Sequence, residues 1–386
     1  VYAPQTLWAA WQRVAANHGA AGIDRMSIER FEAHATDYLV ELARGLRESS
    51  YQPEPVRRVH IPKGKGQTRP LGIATVKDRV VQTALKLVIE PIFEKEFLPV
   101  SFGFRPGRSC KDALRVVDQA LKDGYTWVVD ADLQSYFDTI PKEPLLALVQ
   151  EKISDGRVLE LVKRFLDQDV MEGMRRWTPV TGTPQGSVIS PLMSNLYLHG
   201  LDALLSDVEV RYVRFADDFV ALCRTQQEAD AVFAKIQTWV GQNGLRLHPD
   251  KTRVVNGTEK GQGFEFLGYR FAAGRRWVRS KSWTALRDAI RQKTGRTRSG
   301  SLETIIRELN PILRGWFGYF KHANRTTFRD VDGFVRRRLR AILRKREKRP
   351  GFGRTTRDHF RWPNAFFAEH GLFTLHKAHV LASQSR

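Results

Sequence analysis

The sequence has 386 residues and a formal net charge of +21, and 42% of its residues are hydrophobic. This length is too great for one compact core, so the chain is expected to form two or three subdomains. No run of about 18 apolar residues occurs, which excludes a membrane-spanning helix. The only cysteines, Cys110 and Cys223, exclude a cysteine-rich zinc module and favour a reducing compartment.

The positive charge is concentrated in the last part of the chain. Residues 275–386 carry 28 Lys and Arg against 8 Asp and Glu, whereas residues 1–274 carry 35 against 34. A basic region of this kind is typical of a surface that binds a polyanion. Nucleic acid is favoured over a membrane surface, because no lipid-anchoring signal accompanies the charge. The sequence therefore predicts nucleic-acid partners, no membrane partner and a cytoplasmic location.

The N-terminal part of the chain is predicted to consist of helices followed by a basic hairpin. Apolar residues recur at helical spacing over residues 1–50, and the segment 18–24 between them is expected to be a plain loop. Residues 59–61 and 71–73 then alternate as in a hairpin with a lysine- and glycine-rich loop. Basic side chains there could reach a phosphate chain, but solvated basic hairpins are also common. The next expected elements are a helix (76–97), a loop (101–109) and a helix (110–122).

Two apolar strands in the middle of the chain each end in aspartate. The first runs from Trp127 into Asp130 and Asp132, and a later hairpin is expected to carry Asp217 and Asp218 at its tip. An isolated Asp-Asp pair is usually an ordinary solvated turn. Carboxylates on the ends of neighbouring strands repel one another, however, unless a divalent cation neutralises them. The pattern therefore predicts a two-metal site for phosphoryl transfer.

Helices and short strands are expected to surround these acids. Helices are predicted over residues 142–170 and 226–243, and strands over 245–252 and 264–271. The Gly- and Pro-rich segment 181–192 is expected to form a turn that leads into an apolar helix. The backbone N–H groups at the start of that helix would favour a negatively charged ligand. A simple structural turn explains the same residues. The order of elements predicts an α+β fold with a sheet backed by helices.

A boundary is expected near residues 274–300, after which the chain is predicted to be helical. Residues 305–320 and 328–343 each present an apolar face. Residues 336–349 contain nine Lys and Arg against one Glu, so self-repulsion makes a bound polyanion a better account than a solvated face. The residues expected to bind nucleic acid are Arg336, Arg337, Arg338, Arg340, Arg344, Lys345 and Arg346.

Six motifs together resemble the group II intron reverse transcriptases. They are Arg69-Pro-Leu-Gly-Ile73, Ser101-Phe-Gly-Phe-Arg-Pro-Gly-Arg-Ser109, Asp132-Leu-Gln-Ser-Tyr-Phe-Asp138, Gly182-Thr-Pro-Gln-Gly-Ser187, Phe215-Ala-Asp-Asp218 and Phe266-Leu-Gly-Tyr269. The resemblance covers nearly the whole chain and implies a right-hand polymerase fold. It implies an N-terminal extension and fingers (1–110), a palm with an antiparallel sheet backed by helices (111–274), and an all-helical basic thumb or maturase domain (275–386).

The resemblance also implies an activity and a set of partners. Members copy RNA into DNA from dNTPs on an RNA template/primer duplex, and they bind group II intron RNA to assist its splicing and its movement into a DNA target. The implied site holds two Mg²⁺ ions on Asp132 and Asp217 with Asp218 beside them, and Asp130 is the less favoured ligand. Phe137 matches the bulky residue that excludes a ribonucleotide 2′-OH. The other residues implied in dNTP binding are Lys63, Arg69, Gln185 and Lys251.

Other features of the sequence modify this picture. The segment 18–24 matches the family's N-terminal loop that covers the template, and Phe215 replaces the commoner Tyr without touching the metal ligands. Nothing after residue 371 resembles a Cys/His endonuclease domain, so the chain is expected to use existing primers, such as nascent strands on the nucleoid. Two alternatives stay open: a splicing cofactor with secondary polymerase activity, and a domesticated reverse transcriptase in defence or DNA repair.

Overall fold

The computed structural model describes residues 1–64, 66–208, 210–259 and 261–384. The chain divides into two compact units, Val1–Val254 and Val255–Arg386. The helices of the first unit are α1 (Pro4–Ala16), α2 (Ile28–Glu32), α3 (Ala35–Arg47), α4 (Val76–Glu94), α5 (Cys110–Lys122), α6 (Tyr136–Thr139), α7 (Lys142–Gln150), α8 (Gly156–Leu166), α9 (Ser190–Ser206) and α10 (Gln226–Gln242). The strands up to the boundary are β1 (Val56–Gly64), β2 (Gln67–Ile73), β3 (Trp127–Asp132), β4 (Val170–Glu172), β5 (Arg175–Trp177), β6 (Arg211–Phe215), β7 (Asp218–Cys223) and β8 (Arg253–Asn256).

The central sheet has the strand order β6-β7-β3-β8. Strand β7 is antiparallel to both β6 and β3, and the last residue of β3, Asp132, lies opposite Asp218 at the start of β7. Residues 219–223 of β7 are all buried, and so are Val128 and Val129 of β3. Such continuous burial is typical of strands covered on both faces. The predicted α+β fold with an antiparallel sheet backed by helices is confirmed.

A second sheet, of order β2-β1-β4-β5, contains the predicted basic hairpin. Strands β1 and β2 are antiparallel, and their register shifts between Pro62 and Gly64. Lys65, part of the predicted lysine- and glycine-rich loop, lies outside the described residues. The short β4–β5 hairpin was not predicted, because strands of three residues, in which only Val170 is buried, are too short to show a period-2 pattern.

The second unit begins with a small antiparallel sheet and continues as helices. Its strands are β9 (Phe264–Phe266), β10 (Tyr269–Ala272) and β11 (Arg275–Val278), and its helices are α11 (Ser280–Lys293), α12 (Leu302–Phe320), α13 (Arg325–Arg346), α14 (Thr356–Arg361), α15 (Asn364–Glu369) and α16 (Leu375–Gln384). The predicted boundary at 274/275 falls inside this unit, between β10 and β11. The division into fingers, palm and thumb remains a prediction. Within the described ranges, no helix is both long and apolar enough to cross a membrane.

The strand predicted at residues 245–252 is wrong. Only Leu247 makes an isolated bridge, with Leu133, and the strand begins later, at Arg253. Pro249 and Asp250 lie in a turn, since the backbone N–H groups of Lys251 and Thr252 both donate to the carbonyl of His248. The alternation of Leu245 and Leu247 that suggested a strand is thus too short to continue through the turn.

A buried carboxyl group in the first unit is expected to make its stability depend on pH. Asp78, in the first turn of α4, is 1% exposed. Its carboxylate accepts hydrogen bonds from the hydroxyl of Tyr51 and, at 3.2 Å, from Nε2 of Gln168. Burial raises the pKa of Asp78 to about 6. The unfolded chain therefore releases this proton at a lower pH than the folded chain does, near about pH 4.

Replacement of Asp78 by Asn is expected to remove this pH dependence. Between about pH 4 and pH 6 the folded wild type holds a proton that the unfolded chain has lost, so its stability falls as the pH rises. The free energy of unfolding of Asp78→Asn, relative to wild type, should therefore rise by about 3 kcal/mol between about pH 3.5 and pH 7.5. Urea denaturation at both pH values measures this change. Asp230→Asn, at an exposed position of α10, should run parallel to wild type, and a parallel curve for Asp78→Asn would contradict the prediction.

Candidate active site

The candidate site lies where strands β3 and β6 end and strand β7 begins. Ala216 and Asp217 connect β6 to β7, and Phe215 pairs with Asp218 to close the hairpin. The tip is therefore Ala216-Asp217, and Asp218 is the first residue of β7 rather than part of the tip as expected. Ala216 has φ +60°, a left-handed conformation that costs a residue other than glycine about 1–2 kcal/mol. A strained turn thus places Asp217 beside the end of β3.

The structure brings the predicted acids together with one predicted cation. Asp132 and Asp218 are cross-strand partners. Burial raises the pKa of Asp217, and the charge of Asp132 raises it further, against the opposing charges of Arg214 and Lys251. Nζ of Lys251 lies 3.2 Å from both carboxylate oxygens of Asp132. Asp217 is consequently an acid whose ionised form needs a nearby positive charge.

Asp130, the less favoured acid on the same strand, has a partner of its own. Its carboxylate oxygen lies 3.3 Å from Nη2 of Arg253, and its side chain is 14% exposed. Asp132 is much more open, at 45% of its side-chain surface. The placement is consistent with a structural ion pair at Asp130 and an accessible carboxylate at Asp132.

The donor chemistry of this site fits Mg²⁺, which prefers carboxylate oxygens. As the side chains stand, no group of three or more His, Cys, Asp and Glu residues in the described ranges is arranged to hold a metal ion. The ammonium group of Lys251 instead covers both oxygens of Asp132. A divalent cation would offset the repulsion and burial that raise the pKa of Asp217. Binding would require Lys251 to leave Asp132.

A buried ion pair between β6 and α9 stabilises the strained turn. Arg214, in β6, is 0% exposed and makes a fork to Asp202 of α9, with Nε 2.7 Å and Nη2 2.5 Å from the carboxylate oxygens. Its third nitrogen, Nη1, donates to the carbonyl of Ala216 and to Oδ1 of Asn195, both at 2.9 Å. Arg214 therefore fixes the carbonyl of the residue that precedes Asp217.

The segment before α5 completes this support. Nδ2 of Asn195 donates to the carbonyl of Gly103 at 2.8 Å, and the N–H of Phe102 donates to the carbonyl of Arg214 at 2.9 Å. A Cβ atom on Gly103 would lie 2.2 Å from the backbone nitrogen of Ala216, so only glycine permits this approach. We call Gly103, Asn195, Asp202 and Arg214 the turn clamp. None of these residues was predicted to have this role.

Phe137 and Gln185, both predicted to bind dNTP, line one cavity of about 350 Å³. The loop containing Gln185 is tied to α6, because the N–H of Thr183 donates to the carbonyl of Phe137 at 2.8 Å. Nε2 of Gln185 donates to the carboxylate of Asp138 at 3.2 Å. The backbone carbonyl of Gln185 accepts a hydrogen bond from the backbone N–H of Gly72 in β2 at 2.7 Å. The cavity is thus bounded by strands β1, β2 and β4 of the second sheet, by α6 and by the loop that contains Gln185.

Lys63 and Arg69, the other residues predicted to bind dNTP, are exposed on the β1–β2 hairpin. Lys63 lies where the register of the hairpin shifts, and Arg69 pairs with Ile61. In the part of the chain that the structure describes, neither side chain makes a hydrogen bond or an ion pair. Both cations are therefore available to a ligand, although the structure does not bring them into contact with the acids.

The predicted nucleic-acid-binding arginines of α13 do not share one face. Arg340 is 2% exposed, and its Nε donates to the carbonyl of Trp362 at 2.9 Å. It therefore stabilises the interior of the second unit and is not accessible to nucleic acid, contrary to the prediction. Arg344 is paired with Asp358 at 2.5 Å, and Arg338 donates to Thr294. A run of charges in the sequence does not reveal which helix face each residue occupies. The rest are Arg336 and Arg337, which are half-buried, and Lys345 and Arg346, which are exposed.

Comparison with known proteins assigns families to both parts of the chain. Residues 61–271 match the family described as reverse transcriptase (RNA-dependent DNA polymerase), and residues 283–362 match the maturase-specific domain of group II introns. The protein YkfC of Escherichia coli (strain K12) is 35% identical over 289 residues, which is 64% of this chain and 75% of that protein.

Two intron-associated proteins are also similar. The group II intron-encoded protein LtrA of Lactococcus lactis is 33% identical over 212 residues, or 55% of this chain and 35% of LtrA. An uncharacterized 91 kDa protein in the cob intron of Schizosaccharomyces pombe is 28% identical over 394 residues, or 80% of this chain and 48% of that protein. The matches thus span half or less of these two longer relatives.

Proposed function

Since this chain belongs to the reverse transcriptases and carries the maturase-specific domain of group II introns, we propose that it extends a primer with dNTPs on an RNA template. In the same proposal, the chain binds group II intron RNA to assist splicing and retrohoming. The observation that supports the polymerase activity is the arrangement of Asp132, Asp217 and Asp218 at the adjoining ends of β3 and β7. Carboxylates at such strand ends suit nucleotidyl transfer.

Asp132 and Asp217, with Asp218 beside them, would hold two Mg²⁺ ions. When bound, these ions would supply the Lewis acidity that lowers the pKa of the primer 3′-hydroxyl and stabilises charge on the leaving pyrophosphate. Lys251, which neutralises Asp132 in this structure, would then be released to the triphosphate. The side chain would in this way exchange the carboxylate of Asp132 for an oxygen of the triphosphate.

The remaining predicted residues would position the nucleotide. Lys63 and Arg69 project from the exposed hairpin and would contact its phosphates. Gln185, held between Asp138 and Gly72, would pack on the nascent base pair. The ring of Phe137 stands edge-on to that of Phe104, with ring centroids 6.5 Å apart, and would exclude a 2′-hydroxyl.

The two alternatives receive less support. A splicing cofactor with little polymerase activity would not need the strained turn at Ala216 or the turn clamp that stabilises it. A domesticated enzyme in defence or DNA repair would use the same chemistry with another RNA, but the matches to a maturase-specific domain and to intron-encoded proteins favour intron RNA. Action on a DNA target in the nucleoid remains part of the proposal.

Primer extension tests the proposed polymerase activity. The purified chain, an annealed RNA template and DNA primer, dNTPs and Mg²⁺ should give extended primer. Removal of Mg²⁺ with a chelator should abolish extension, and its readdition should restore it, because the acids alone cannot stabilise the transition state. Failure of the folded wild type to extend on several templates and with several divalent metals would refute polymerisation as the function. Binding and splicing of intron RNA would test the maturase role separately.

Substitution of Phe137 by Ala is expected to weaken discrimination against ribonucleotides. Removal of the ring opens space beside the sugar, so the ratio of kcat/KM for a dNTP to that for the matching rNTP should fall roughly 10-fold to 100-fold. The dNTP rate of the same variant serves as the internal control. Single-nucleotide extension assays measure both values. An unchanged ratio, with the dNTP rate retained, would show that another residue excludes the 2′-hydroxyl.

A further inference from the structure

A cluster of arginines surrounds one phenylalanine in the second unit. The guanidinium groups of Arg287 and Arg291 on α11, and of Arg337 on α13, lie over the ring of Phe334 at 5.1, 5.8 and 5.2 Å from its centroid. Cation–π contact accounts for the attraction of each guanidinium to the ring, but it does not remove the repulsion among the charges.

The charges of this cluster are largely uncompensated. Among the residues that the structure describes, Arg291 is paired with Asp288 at 2.5 Å, whereas Arg287, Arg337 and Arg354 have no carboxylate partner. Burial lowers the pKa of Arg337, and the charges of Arg354, Arg287 and Arg291 lower it further. Nε of Arg287 is also buried without a hydrogen-bond partner. Like charges held together in this way are stabilised when an anion binds.

An exposed aromatic ring lies in the loop that also carries Arg354, whose charge acts on Arg337. Phe352 is 64% exposed, and the guanidinium of Arg296 lies over its ring at 4.9 Å from the centroid. The loop containing Phe352 is fixed on α13, because a Cβ atom on Gly353 would lie 2.7 Å from Cβ of Arg340. The loop containing Arg296 is fixed on the same helix, where Nη2 of Arg338 donates to the carbonyl of Thr294 at 2.5 Å.

We propose that this surface binds an unpaired segment of RNA. We define the arginine–phenylalanine surface as Arg287, Arg291, Arg296, Arg337, Arg354, Phe334 and Phe352. The arginines would take the backbone phosphates, and a base would stack on the open face of Phe352. The inference rests on the proposed function, since it assigns a site for the intron RNA that the maturase domain is proposed to bind.

Unpaired RNA fits this surface better than a duplex or a membrane does. In a duplex the base faces are stacked on one another, so Phe352 would have no ring to contact. In an unpaired strand each base offers a face, and each phosphate offers a charge for the neighbouring arginines. A membrane site would require a larger apolar face than this one exposed ring.

Binding of labelled probes without dNTPs or Mg²⁺ tests the proposal. The probes are a single-stranded oligouridylate RNA and a blunt RNA duplex of the same length, each titrated at several salt concentrations. The double variant Arg337→Gln/Arg354→Gln should bind the single strand about 10-fold more weakly, with a salt slope smaller by about 1.4. Phe352→Ala should also bind it about 10-fold more weakly, with an unchanged slope and unchanged duplex binding.

Matched controls separate this site from general basicity. Arg307→Gln on α12 and Phe360→Ala on α14 remove an exposed arginine and an 82% exposed ring outside the surface, and both should bind like wild type. Equal weakening in controls and site variants would overturn the proposal. So would wild-type affinity in the site variants, or displacement of the RNA by polyglutamate at equal charge concentration, which would indicate an acidic protein partner.

The outcome is independent of the polymerase test. Asp217→Asn should bind the single strand like wild type while failing to extend a primer. Wild-type RNA affinity in the site variants, in a chain that extends primers, would refute this surface and leave the proposed polymerase standing. If the site variants lose RNA binding but the wild-type chain never extends a primer, the proposed polymerase activity is refuted and the proposed RNA-binding surface is retained.

Discussion

Replacement of Asp217 by Asn is expected to lower the rate of primer extension on the order of 10³-fold, because the amide cannot donate a charged oxygen to a metal ion. The stability of the chain should not fall with the activity. Burial and the charge of Asp132 raise the pKa of Asp217, so its ionised form is costly in the folded state, and the neutral amide removes that cost. Single-turnover extension and thermal unfolding, measured on the same sample, test both statements.

The neighbouring acids provide matched controls for Asp217→Asn. Asp132→Asn should cause a loss of similar size, whereas Asp130→Asn should cause a much smaller one, since Asp130 is paired with Arg253. Asp230→Asn, on the exposed face of α10, should leave the rate unchanged. A variant at Asp217 that keeps more than about a tenth of the wild-type rate would show that the turn does not hold the metal. A loss at Asp130 as large as that at Asp132 would point to a different ligand set.

Elements with strong periodicity could be predicted from the sequence. Helix α5 begins and ends where it was expected, because its apolar residues recur every three or four positions and Ser109 and Asp112 form a capping box at its start. The acids at 132, 217 and 218 could be placed together for a similar reason, since each follows or begins an apolar strand. A local pattern was sufficient for these features.

Features that depend on distant partners could not be predicted. Arg340 looked like one more member of a basic run, but helical geometry turns it inward to Trp362. Gly103 looked like a loop residue, and only the approach of Ala216 explains it. One signal for the turn clamp was present: Arg214 interrupts the apolar residues Tyr212, Val213 and Phe215 of β6. A charge inside a buried strand requires a buried partner, but the sequence alone does not identify Asp202 as that partner.

The turn clamp leads to the second large expected effect. Arg214→Lys keeps the positive charge but loses the fork to Asp202 and the bond from Nη1 to the carbonyl of Ala216. The left-handed conformation of Ala216 is then held less firmly, and Asp217 is no longer kept in one position. The value of kcat should fall roughly 10-fold to 100-fold, in the range expected when support behind metal ligands is removed.

A positioning role differs from a merely structural one in its dependence on metal. If Arg214 acts through Asp217, the Mg²⁺ concentration for half-maximal extension should rise in Arg214→Lys, while the KM for dNTP changes little. Arg105→Lys is the matched control, because Arg105 is also buried, at 7% exposure, and is also forked, onto Glu94. Both variants should lose stability, since each breaks the forked ion pair of a buried arginine. Only Arg214→Lys should shift the Mg²⁺ requirement, and an equal shift in both variants would reduce the clamp to a general contribution to folding.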